Sequence, residues 1–245
     1  EAVTISDTTV DAALLITLDS ATSGIIDASS ITTLTGSDAD KATVRASNGI
    51  TGLPGGGGGG GGGDYIVTDT SISASELISL DSQYETVNAS AVTTITGTAA
   101  DINTVYTAGS AGTITGLGDE AVTISDTTIE ASSLNTLDSN TTGAVNAATI
   151  TTLTGLAADT NTAYASNGIT RLGDEAVTLT DTSLASSVLN TLDSNTTGVI
   201  NAAAITTLIG ATAELNTVYT AYEAGTITGL GDEAVTISDT TVDAA

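Results

Sequence analysis

The residues with the means to do chemistry in this chain are its acids, and they recur in register. Asp7, Asp69, Asp126, Asp181 and Asp239 each open an Asp-Thr-Thr or Asp-Thr-Ser tripeptide. Asp19, Asp81, Asp138 and Asp193 follow the first four at a constant twelve residues. A third set sits in Gly-Asp-Glu, as Asp119, Asp174 and Asp232 with Glu120, Glu175 and Glu233 behind them. Carboxylates beside a tight turn are the donor set of a hard cation such as Ca²⁺. The EF-hand loop and the glycine-rich nonapeptide are both missing. The competing reading makes these acids turn and helix-cap carboxylates. Paired carboxylates also cleave glycosidic bonds, but these recur in every copy, whereas an active site occurs once.

The rest of the chemical inventory is short. There is no His and no Cys, and Lys41 is the only lysine. Ser–His, Cys–His and thiolate zinc sites therefore have no members. The expectation is a protein that is not an enzyme, with no catalytic residue and no cofactor except calcium.

The elements that position these acids belong to a repeat of roughly 55 residues. Copies span 1–55, 64–119, 120–174 and 175–232, and a fifth begins at 233. Residues 1–13 and 233–245 are identical. Residues 56–63 fall in the glycine run Gly55–Gly63, read either as a flexible linker or as a placeholder for unidentified residues. With both ends inside the repeat, the chain reads as a segment of a longer one.

Each copy divides into two halves that open on a β-branched, Thr-rich run such as Val122–Ser125 or Ile150–Thr154, which suits a strand. Helix-start signals follow at Ser37–Asp40, Ser73–Glu76 and Thr98–Asp101. Ile102, Val105 and Tyr106 then fall on one helical side. A strand and a short helix in about 27 residues predict a repeat solenoid. It would have a parallel β-sheet face, short helices on the other face and about two coils per copy. An all-β solenoid is the alternative. Length variation at Ala108–Gly112 and Ala221–Gly225 reads as a loop. Asn103, Asn135, Asn161, Asn190 and Asn216 recur at one half-copy position and read as a structural ladder satisfying backbone groups at bends. Tyr106, Tyr164 and Tyr219 share another position and read as core packing or helix-to-sheet contact.

With 29 acidic against 3 basic residues, the net charge of −26 makes nucleic acid a poor partner, so none is expected, and argues against direct binding to anionic lipid. Acids on a long aliphatic array also keep it soluble. The longest apolar stretch, Ala12–Ile16, is too short for direct membrane insertion. Thr113-Ile-Thr115 and Thr226-Ile-Thr228 show the alternation of a half-exposed strand, and a flat Thr face is a candidate surface for polysaccharide or ice.

The run "GLGDEAVTISDTT", with "LNTLDSNTTG" and "ITTLTG", resembles the tandem repeats of giant secreted cell-surface proteins of marine picocyanobacteria. That group includes the protein these cells need for swimming without flagella. The resemblance covers the chain apart from the glycine run. It implies an extracellular location, type I secretion and a structural or adhesive role in a surface filament, matrix or adhesin stalk. The partners expected are further copies, by end-to-end or lateral assembly, or other surface components.

Overall fold

The computed structural model describes residues 1–53 and 64–240; the glycine run Gly55–Gly63 and residues 241–245 lie outside them. The chain forms two compact units. One holds residues 1–96 and 101–120, the other 97–100 and 121–245, and the change at 120/121 falls one residue from a copy boundary. Both units are made of parallel strand ladders alternating with short helices in repeated β–α units.

In the second unit three ladders account for every described strand from Ala121 onward. The first joins Val122, Val145 and Ile169. A second runs Ile129, Leu153, Val177, Ile200 and Ile227. Leu184, Leu208 and Val235 make the third. The inward position of each strand is aliphatic and meets an aliphatic neighbour one turn of chain away. Val122, Val145, Leu153, Val177, Ile200 and Leu208 are all 0% exposed. Each such side chain is worth about 1.5–3 kcal/mol of transfer free energy, which makes these aliphatic columns the main source of cohesion.

Chain order through these ladders is informative. Residues 121–170 visit the first and second ladders, then helix α5 (Ala131–Asn140), then first and second again, then helix α6 (Ala157–Ala165), and then the first. Residues 176–237 visit the second and third, helix α7 (Ser186–Asn195), second and third again, helix α8 (Thr212–Ala224), and second and third once more. Each copy therefore has five strands and two helices, seven elements on three positions. The helices move from the place of the third ladder to the place of the first between one copy and the next.

The expected 27-residue spacing holds only where a long helix intervenes, as from Ile200 to Ile227. Elsewhere stacked strands are 22 to 24 residues apart, as in Tyr65–Val87 and Val122–Val145–Ile169. The expected loops at Ala108–Gly112 and Ala221–Gly225 are instead helix. Helix α8 has 13 residues where α6 has 9, and it closes on Gly225 in the left-handed conformation (φ 82°). An extra turn costs little where small residues, Ala221 and Ala224, continue the helix, and Gly225 ends it.

The first unit repeats the pattern. Val3, Ile26 and Ile50 form one ladder and Tyr65, Val87 and Ile114 another, while Val10 pairs with Leu34 and Ile72 with Ile95. Its helices are α1 (Ala12–Ala21), α2 (Asp38–Ala46), α3 (Ala74–Gln83) and α4 (Ala99–Ala111), the last of which starts in the other unit. Two expected caps are present: Asp40 N–H donates to Ser37 Oγ (3.1 Å) and Glu76 N–H to Ser73 Oγ (3.2 Å). Leu15, Ile26, Ile31, Val44 and Ile50 form the core between helices and strands.

Candidate functional site

The first N–H groups of a helix have no partner inside it and need an acceptor from elsewhere. Helices α6 and α8 start after Leu156 and Ala211, which have no side chain to offer one. The acceptor is the Asp-Thr-Thr/Ser aspartate of the following copy. Asp181 Oδ2 accepts from Ala157 N–H at 2.8 Å, and Asp126 Oδ2 from Ala99 N–H at 2.7 Å. Asp239 Oδ2 accepts from both N–H (2.6 Å) and Oγ1 (2.7 Å) of Thr212. In the first unit Asp69 Oδ2 accepts from Asp38 N–H at 3.0 Å. The second helix of four copies is thus capped by the next copy, with a negative charge against the positive end of the helix dipole. The Thr212 hydroxyl and N–H hold the Asp239 carboxyl below its ordinary pKa. Asp7, the fifth member of the set, is exposed and accepts nothing among the described residues.

The Gly-Asp-Glu segments are turns, and the acid that points inward is the glutamate. Glu120 accepts from Gly118 N–H (3.0 Å to Oε2) and from the Tyr106 hydroxyl (3.1 Å). Glu175 Oε2 accepts from Gly173 N–H (2.9 Å) and the Tyr164 hydroxyl (3.2 Å). Glu233 accepts from Gly231 N–H (2.6 Å) and from the Tyr219 hydroxyl. Glu120 and Glu175 are 0% and 2% exposed, and Oε1 of Glu175 is buried with no partner. Gly118, Gly173 and Gly231 have φ of 128–141°, a backbone that glycine adopts and other residues rarely do.

Burial and the neighbouring carboxylate push the Tyr219 hydroxyl up to about 12, and burial likewise raises Tyr164. Burial would raise Glu233 too, but the Tyr219 hydroxyl and the turn N–H groups outweigh it and leave the carboxyl below its usual range. Asp119, Asp174 and Asp232, between these glycines and glutamates, face solvent.

The asparagines lie on helices rather than at bends. Asn135 Nδ2 donates to Asp159 O (2.9 Å), Asn161 Nδ2 to Val188 O (3.1 Å) and Asn190 Nδ2 to Glu214 O (3.0 Å), each on the next helix. Asn103 and Asn216 lie in α4 and α8. Asp19 and Asp138 accept from Ser47 Oγ and Ser166 Oγ, both at 2.7 Å, which ties the first helix of a copy to the segment after its second.

One cluster does not repeat. Asp38, 0% exposed, accepts from Lys41 Nζ (3.2 Å), the Tyr65 hydroxyl (2.8 Å) and the N–H groups of Thr68 (2.8 Å) and Asp69 (2.9 Å). Burial works to raise its pKa, and these donors reverse that and lower it. Arg45 lies 5.6 Å from the centre of the Tyr65 ring, which packs on Tyr84 at 4.7 Å. Nearby Glu76 is raised, by burial first and then by Asp38, Asp69 and Asp40.

Among the described residues no three His, Cys, Asp or Glu side chains come together in a way that could hold a metal ion. The eight aspartates singled out for calcium are divided between helix caps, solvent-facing turn positions and the exposed Asp7. Sequence reasoning placed Tyr106, Tyr164 and Tyr219 in the core but missed their pairing with glutamate. The available signal was that each of the three tyrosines is followed by a glutamate 11 or 14 residues later. Among the described residues no helix is long and apolar enough to cross a membrane. Comparison of the chain with protein-family models, curated proteins and solved structures finds no match.

Proposed function

We propose that this chain is a structural repeat protein, a segment of an extracellular surface filament, matrix or adhesin stalk, built as a three-sided β/α solenoid. In the second unit seven elements per copy on three sides advance the winding by two and a third turns, so α7 and α8 are set one side further round than α5 and α6. The observation that carries this reading is the use made of the recurring polar groups. Asp69, Asp126, Asp181 and Asp239 each cap a helix of the preceding copy, while Asn161 bonds a helix of the following one. Side chains given to joining copies suit a load-bearing array whose length is set by copy number. The sequence resemblance to secreted picocyanobacterial surface proteins supports the location.

The test is immunogold labelling of intact source cells with antibody to the repeat. Surface label is expected; label seen only after permeabilisation would contradict the proposal. The Thr-face alternative has weaker support. Thr154 and Thr178 are in register on the second ladder, but Glu130, Asn201 and Ala176 occupy neighbouring outward positions and break the lattice.

A further inference from the structure

The junction between the second helix of one copy and the first helix of the next is stitched shut in one place and open in another. Between α6 and α7 Asn161 closes it: its Nδ2 donates to Val188 O (3.1 Å) and its Oδ1 accepts from Asn195 Nδ2 (3.0 Å). The same three helix positions between α2 and α3 hold Ala42, Glu76 and Gln83. Ala42 has nothing with which to span the gap. Gln83 Nε2 turns back to its own helix, donating to Ser79 O and Ser79 Oγ (both 3.0 Å). A groove of about 600 Å³ is left between the two helices, inside the first unit, and that is the size of a small-molecule site. It belongs to one copy only, because the position of Ala42 is Asn103, Asn161 and Asn216 in the others.

The walls of the groove are of two kinds. Ala39, Ala42, Thr43 and Ala46 lie along one side of α2 and present a strip of methyl groups. Glu76 and Asp19 bring carboxylates, and neither Lys41 nor Arg45 lines the groove. Asp19 accepts from Ser47 Oγ, but Glu76 Oε1 is buried with no hydrogen-bond partner, and an acceptor left in that state is costly. Asp38, Asp69 and Asp40 add, after burial, to the rise in the Glu76 pKa, so the surroundings of the orphaned oxygen are negative and suit a positively charged N–H donor. A Ca²⁺ ion takes roughly six to eight oxygen ligands, which a wall of methyl groups does not supply. We infer that the α2–α3 groove is a binding site for a linear aliphatic polyamine. One ammonium group donates to Glu76 Oε1, the methylene chain lies along Ala39, Ala42 and Ala46, and a second ammonium group meets the Asp19 carboxylate. The Ser75 and Ser79 hydroxyls, which line the same groove, accept from the remaining N–H groups. The site goes beyond the array reading above and does not depend on it.

The test is equilibrium dialysis of the full chain against radiolabelled spermidine at constant ionic strength. A chain of net charge −26 takes up polyamine diffusely, so a site is recognised by saturation, and one saturable site per chain is expected. Ala42→Asn installs the residue that closes the α6–α7 junction, and Glu76→Gln removes the charge at the orphaned oxygen. Each is expected to weaken the saturable binding about tenfold. Glu223→Gln, which removes an exposed acid of α8, is expected to leave it unchanged. Circular dichroism of each variant separates loss of the site from loss of the fold. Uptake without saturation would overturn the inference, as would saturable binding that Ala42→Asn and Glu76→Gln leave unchanged or that Glu223→Gln weakens equally. Surface labelling of cells is untouched by any of these results.

Discussion

At the scale of single residues, the acids fall into two kinds with opposite consequences for stability. Asp38, Asp239 and Glu233 have pKa values lowered by folding. Their contribution is complete above the unfolded pKa and is lost as pH falls through the folded one, so stability declines on acidification below the ordinary carboxylate range. Glu76 is raised, by burial first, and its ionisation works against the fold once pH exceeds its unfolded value. Glu76→Gln is therefore expected to raise the urea midpoint at pH 7 and to leave it unchanged at pH 3; a loss at pH 7 would count against this reading. Tyr164→Phe removes a donor from buried Glu175, whose other oxygen already lacks a partner. A loss of about 1–3 kcal/mol is expected by urea unfolding. Tyr222→Phe, at a hydroxyl whose ring is 39% exposed, should have no measurable effect.

At the scale of elements, the helix starts of α6 and α8 are the point where sequence and structure differ most usefully. Ser37 and Ser73 were legible as caps because cap and capped N–H are three residues apart. The role of Asp181 was not legible, since the N–H it accepts from is 24 residues earlier. The alternation of strands and helices could be read from runs such as Val122–Ser125 and from the Ile102, Val105, Tyr106 stripe. The ladder register could not, because strands such as Val145–Asn146 and Ile169–Thr170 are two residues long and carry no period. Asp181→Ala should destabilise by about 1 kcal/mol, the usual value of a lost cap. The neighbouring, exposed Asp174→Ala should be neutral within error; equal effects from the two would argue against capping. Gly168 offers a second test of the copy's internal ties. A Cβ there would come within 2.0 Å of Asp138 Oδ1, so Gly168→Ala must displace the carboxylate and break its bond to Ser166. The expected loss in urea unfolding, about 1–2 kcal/mol, should be largely absent in a background of Asp138→Ala.

At the scale of the whole molecule, a net charge of −26 sets a background of self-repulsion that is relieved by any salt. A stabilising effect of sodium chloride on this chain therefore carries no information about a metal site, and only a gain specific to millimolar Ca²⁺ at constant ionic strength would. The Asp-Thr-Thr/Ser aspartates from Asp69 onward join one copy to the next, and that role makes a prediction distinct from cation binding. The most direct measurement is thermal unfolding of the full chain and of the double variant Asp126→Ala, Asp181→Ala, each in EDTA and in millimolar Ca²⁺ at matched ionic strength. The joining role predicts a lower melting temperature for the variant by the same amount in both media, with no calcium shift for either protein. A calcium-dependent rise in the unaltered chain that the double variant loses would contradict it and make these aspartates metal ligands.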